Sequence, residues 1–144
     1  MLYADFKRKN GFFARLGAYK GIEHINDLCK LYNMYIISAS PNANADIDKK
    51  HWLAKYLPNM KKQNVVFCRL GENKAHIIYE QLDIKIDNTC LLLDDYTKNL
   101  EQWKELGGIG IKRLTKVADN STGKWKGLTL KDLNDLEKAI LATI

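Results

Sequence analysis

Apolar positions along the chain follow two alternating periods. Ile22, Ile25, Leu28, Cys29 and Tyr32 recur at the spacing of one helix face and Asn33 offers a stop, so a helix of about three turns is predicted. Met34-Tyr35-Ile36-Ile37 is an unbroken apolar run that gives way to Ser38-Ala39-Ser40-Pro41-Asn42, a buried strand opening into a polar loop. Asp46 is placed to cap a helix carrying Trp52, Leu53, Tyr56 and Leu57 on one face, with Pro58 ending it. Val65-Val66-Phe67-Cys68 reads as a second strand. Gly71-Glu72-Asn73 then leads into a helix with Ala75, Ile78 and Leu82 on its inner side.

Cys90-Leu91-Leu92-Leu93 is a third strand, ending in Asp94-Asp95. Thr97 is the expected cap of a helix built on Leu100, Trp103 and Leu106, which Gly107-Gly108 terminates before a short fourth strand, Ile109-Gly110-Ile111. A polar, basic loop spans 116–127. In the last helix Thr129 and Asp132 match a capping box, and Leu133, Leu136, Ile140 and Leu141 face inward. Continuous apolar strands alternating with helices predict one α/β domain whose parallel sheet is covered on both faces. The ligand crevice of such a sheet lies beyond the carboxyl ends of its strands. Ser38, Ser40, Arg69, Asp94 and Asp95 are the polar residues expected there.

Composition narrows the class. The 144 residues are 46% hydrophobic and 28% charged, enough for one continuous core. No apolar run approaches the roughly 18 residues that span a bilayer, and the charged start MLYADFKRKN is unlike a signal peptide, so a cytoplasmic protein with no membrane role is expected. Cys29, Cys68 and Cys90 lack metal or redox spacing and read as reduced, buried thiols. A formal charge of +6 favours encounters with nucleotides, nucleic acid or an acidic protein. The cations are nonetheless spread along the chain, apart from Lys7-Arg8-Lys9 and the stretch from Lys112 to Lys126, and most read as solvated surface. His24, His51 and His76 have no metal-binding spacing and receive no role.

Taken together, YIISASPNANADIDKKHWLAKYLP, NVVFCRLGENKAHI and CLLLDDYTKNLEQW resemble the haloacid-dehalogenase (HAD) superfamily, in its cytosolic 5'(3')-deoxyribonucleotidase-like branch, over roughly 12–127 of the chain. The resemblance implies a three-layer Rossmann-like core with a short, mostly parallel sheet. It matches Ser38 to a hydroxyl that bonds the transferred phosphoryl group and Lys74 to a lysine that neutralises it. Asp94 and Asp95 match carboxylates that hold Mg²⁺ directly or through water. The residue types suit that chemistry, because Mg²⁺ takes oxygen ligands and keeps several waters, while a hydroxyl and a lysine compensate charge on the phosphoryl oxygens. Asn42 and the segment Gly123-Lys124-Trp125-Lys126-Gly127 are candidate contacts for a nucleotide or partner, since an aromatic between cations can stack on a base. Packing is the competing use of Trp125.

The chain departs from the family at its N-terminus. Family members begin with a central strand ending in a DxD motif, whose first aspartate attacks the phosphate to form a covalent aspartyl-phosphate. Asp5 has no apolar strand before it, and residues 1–17 read as a remnant of the cap and its connector ahead of a core over 18–144. Omitting the central strand leaves two edges that need covering, by direct pairing of the first and third strands, by the N-terminal residues, or by a second chain. Direct closure or a homodimer is the favoured expectation. The function expected is therefore a non-catalytic, nucleotidase-like binding module or inhibitor whose partner is a protein such as a nuclease or nucleoprotein. A phage or mobile-element product of the anti-CRISPR kind would suit it. The alternatives are a Mg²⁺-dependent phosphohydrolase completed by a nucleophile from another chain, and a nucleotide-binding sensor.

Overall fold

The structure is a computed structural model that describes residues 20–114 and 124–143 of the chain. Asp5, the expected cap remnant and the Lys7-Arg8-Lys9 cluster lie outside the described residues, as does most of the basic 116–127 loop. The chain forms two compact units, Leu2–Glu72 and Asn73–Ile144.

In the first unit, α1 (Ile22–Leu28), β1 (Ile36–Ser40), α2 (Ala43–Tyr56) and β2 (Val65–Arg69) follow in order, with a 3-10 turn at Lys62–Asn64 before β2. α1 is shorter than its apolar spacing predicts. The chain turns at Cys29, whose thiol donates to the Ile25 carbonyl, and only Ile25 and Leu28 of the helix are buried. Burial raises the pKa of that thiol, as suits a packing cysteine rather than a reactive one. Asn59 ties the end of α2 back to α1, its backbone N–H donating to Asn26 Oδ1 at 2.9 Å and its amide to the Asn26 carbonyl at 3.2 Å.

β1 and β2 run parallel, with Ile36 opposite Val65 and Ser40 opposite Arg69. The N-cap of α2 is Asn42, not Asp46: Asn42 Oδ1 accepts from Ala45 N at 3.0 Å, satisfying one of the free N–H groups of the first turn. Asp46 lies inside that turn and accepts from Arg69 Nη1 at 3.1 Å, joining the helix to the end of β2. Trp52 and Leu53 are buried on the inner face, and the helix stops at Leu57, before Pro58.

The second unit contains α3 (Lys74–Leu82), β3 (Leu91–Asp94), α4 (Thr97–Glu105), β4 (Ile109–Arg113), β5 (Leu128–Leu130), a 3-10 turn at Leu133–Asp135 and α5 (Leu136–Thr143). β4 lies between β3 and β5 and is parallel to both. Leu100 of α4, fully buried, and Trp103 pack inward, and burial of one such leucine contributes about 1.5–3 kcal/mol. Trp103 Nε1 donates to the Cys90 carbonyl at 3.0 Å, and the Trp103 ring fills the space where a side chain at Gly108 would begin. Gly107, at φ 94°, takes the left-handed turn that ends α4.

β5 was not expected. Leu128-Thr129-Leu130 is too short to carry a period, and it is a strand because it pairs with Ile111-Lys112-Arg113. The Arg113 guanidinium donates to the Leu114, Leu130 and Lys131 carbonyls and so fastens the end of that ladder. The expected capping box is therefore absent: Thr129 belongs to β5, and Asp132 caps the 3-10 turn through Asn134 N. Leu133 and Leu136 are buried as predicted, whereas Leu141 is 69% exposed on the short α5.

The α/β class with parallel strands is thus present, with a short parallel sheet in each unit. Within the first unit β1 pairs with β2, and within the second β3 pairs with β4. No helix among them is long and apolar enough to cross a membrane.

Candidate functional site

Polar residues at strand ends form one cluster in each unit. In the first, Ser38 and Ser40 are 2% and 0% exposed at the carboxyl end of β1. The cation beside them is Lys49 of α2, which is 2% exposed. Its Nζ donates to Ser38 Oγ at 2.9 Å and to the Ala39 carbonyl at 2.6 Å. Sequence reasoning passed over Lys49, although its spacing was informative. It shares the inner face of α2 with Ala45, Trp52 and Leu53, where a lysine is costly to bury unless its ammonium is bonded. Ser40 Oγ is buried with no hydrogen-bond partner. Asn42, a candidate contact residue, is exposed and spends its side-chain oxygen on the helix cap. The string Asp46-Ile47-Asp48 is the sole Asp-x-Asp in the sequence; it lies within α2, not at a strand end.

In the second unit Lys74 and Asp94 meet. Lys74 opens α3, behind the cap that Asn73 Oδ1 makes with Ala75 N and His76 N. Its Nζ donates to Asp94 Oδ2 at 2.9 Å, the side chains being 8% and 1% exposed. Asn99 Nδ2 donates to the same oxygen at 3.1 Å, and Tyr96 N donates to Asp94 Oδ1 at 2.9 Å. Burial alone would raise the Asp94 pKa, but positive charge, that of Lys74 foremost, together with the hydrogen bonds from Lys74 and the Tyr96 N–H, holds the carboxyl below its ordinary value. Asp95 moves the other way, raised by burial and by the negative charge of Asp94.

Opposite Asp94 on β4 sits Lys112, 6% exposed, whose Nζ donates to Thr97 Oγ1 at 2.7 Å. Thr97 therefore receives a lysine instead of capping α4, whose N-cap position is Tyr96. Ser38 and Lys74, expected to serve one phosphoryl group, each have an internal partner in their own unit: Lys49 for the serine, Asp94 for the lysine.

The Mg²⁺ implied by the HAD resemblance can be tested against the donor set. A hard cation needs carboxylate oxygens with free lone pairs. Asp94 already accepts three hydrogen bonds, one from a buried ammonium. No group of three or more His, Cys, Asp or Glu side chains converges among the described residues. As arranged, Asp94 is engaged by an ammonium and two further donors rather than left open to a cation.

Trp125 is 5% exposed, with Nε1 donating to the Leu128 carbonyl at 2.9 Å. Its ring abuts Gly110, and Lys104 lies 6.0 Å from the ring centre. The indole is thus engaged in packing rather than presented for stacking. Lys124 and Lys126, its neighbours, are exposed. Neither a protein-family model nor a curated protein matches this chain.

Proposed function

We propose that the chain is a non-catalytic binding module on an α/β scaffold of HAD, nucleotidase-like type. The observation that carries this reading is the closed Lys74–Asp94 pair: lysine, amide and backbone donors already occupy the carboxylate that a phosphatase of this kind would use for its metal. A strand end whose lysine and carboxylate are satisfied by each other suits recognition through the surface, and the charge of +6 favours an acidic protein or nucleoprotein partner. A decisive test is phosphate release from deoxynucleoside monophosphates and an aryl phosphate, with Mg²⁺ and with chelator. No turnover is expected; metal-dependent turnover that Asp94→Asn abolishes would overturn the reading in favour of an active phosphohydrolase.

A second reading, a sensor that binds monophosphates without hydrolysing them, is favoured by the buried, unpartnered Ser40 hydroxyl at the end of β1. Calorimetry with deoxynucleoside monophosphates separates the two. Heat that disappears in Ser40→Ala supports the sensor, and no heat supports a purely protein-directed module.

A further inference from the structure

We propose that the Lys74 ammonium stands in the place of a divalent cation at the Asp94 corner, so that this strand end is complete without metal and does not respond to magnesium. The inference goes beyond the binding reading and stands on the geometry of Asp94 alone. Three features carry it. The ammonium lies 2.9 Å from Oδ2 with both side chains nearly sealed from water, so the pair cannot open without leaving a buried charge unmatched.

The remaining lone pairs are constrained as well. Asn99 shares Oδ2 with Lys74, and Tyr96 N binds Oδ1, which fixes the plane of the carboxylate. Three of the roughly four lone pairs are thus taken, and the one left on Oδ1 would offer Mg²⁺ a single oxygen of a carboxylate already neutralised by an ammonium, where near-octahedral coordination at about 2.0–2.1 Å is needed. The lysine is also held from behind. Asn73 caps the first turn of α3, and Ala75, Ile77 and Ile78, the next inner residues, are buried, which anchors Lys74 at the helix start. Asp95 alone leaves one partly buried carboxylate, too few fixed oxygens to hold a hard cation by itself.

Thermal melting of the full 144-residue chain in excess magnesium chloride and in EDTA tests this, beside Lys74→Met. The wild-type midpoint should be the same in both solutions. Lys74→Met, with its carboxylates released, should melt lower in EDTA and recover in magnesium; a site filled to a hundred times its Kd raises a midpoint by roughly 6 °C or more. A magnesium-dependent rise in the wild type would overturn the proposal, and so would a folded Lys74→Met that ignores magnesium. Should Lys74→Met fail to fold, Mn²⁺ binding to the wild-type chain, followed by electron paramagnetic resonance, decides: no bound Mn²⁺ is expected, and stoichiometric binding lost in Asp94→Asn refutes it. Phosphate release is a separate readout, so a failure here would not by itself restore catalysis.

Discussion

Breaking the Lys74–Asp94 pair from either side should cost more than either residue contributes alone. The side chains are 8% and 1% exposed, so removing one partner strands the other in a poorly solvated place, for which roughly 3–5 kcal/mol is typical. In Lys74→Met the carboxylate keeps its Tyr96 and Asn99 donors, which places the loss near the lower end, at about 3 kcal/mol. Asp94→Asn leaves the lysine facing an amide and should lose a similar amount. The double variant carries no buried charge at this corner, so its loss should fall short of the sum by about 2 kcal/mol. Urea unfolding followed by circular dichroism gives all four corners of the cycle. Additivity to within about 0.5 kcal/mol, or a single loss below about 1 kcal/mol, would refute the view that the pair is buried and coupled.

The same pair fixes a sign in acid. Because the folded Asp94 pKa is depressed, its contribution is fully present above the unfolded value of about 3.9 and is lost as the pH falls through the folded value. Asp95 opposes it, since its folded pKa is raised and it costs stability as the pH climbs from the unfolded value through the folded one. The Asp94 effect is therefore to be read as the difference between wild type and Asp94→Asn across the acid limb. A difference that grows as the pH falls would contradict it.

Further outcomes follow from packing. Gly108→Ala places a methyl 2.4 Å from the Trp103 ring and 2.7 Å from Ile86 Cγ2, an overpacking that should cost about 1–3 kcal/mol in urea unfolding. Trp125→Ala should cost about 3–5 kcal/mol on the same measure, whereas a ring free for stacking would lose little. Asn42→Ala removes the α2 cap and should cost about 0.5–2 kcal/mol, while Asp46→Ala, at an exposed ion pair, should cost less than about 1 kcal/mol; the reverse order would restore Asp46 as the cap.

Much of the local structure was legible in the residues. The runs Ile36-Ile37, Val65-Val66 and Leu91-Leu92-Leu93 became strands because β-branched and leucine-rich stretches without polar alternation are stable only when buried on both faces. Gly107 and Pro58 ended their helices because a left-handed turn and a missing N–H act on the chain locally. What the sequence could not decide was which of several polar residues would be partners. Asn42 and Asp46 are both acceptable caps by type, and only the entry of the chain from β1 brought Asn42 Oδ1 to Ala45 N while Arg69, distant in sequence, claimed Asp46. Lys49 was hidden within a run of charges until packing placed it under Ser38. Thr129 was a cap by pattern and a strand residue in fact, because its partner Lys112 lies across a ladder that no local period encodes. Sequence alone determined most of the helices and the strands β1 to β4, and that Lys74 and Asp94 would stand at a helix start and a strand end. Tertiary structure alone decided that the two close on each other, because a buried charge is settled by whatever opposite charge the fold brings within reach.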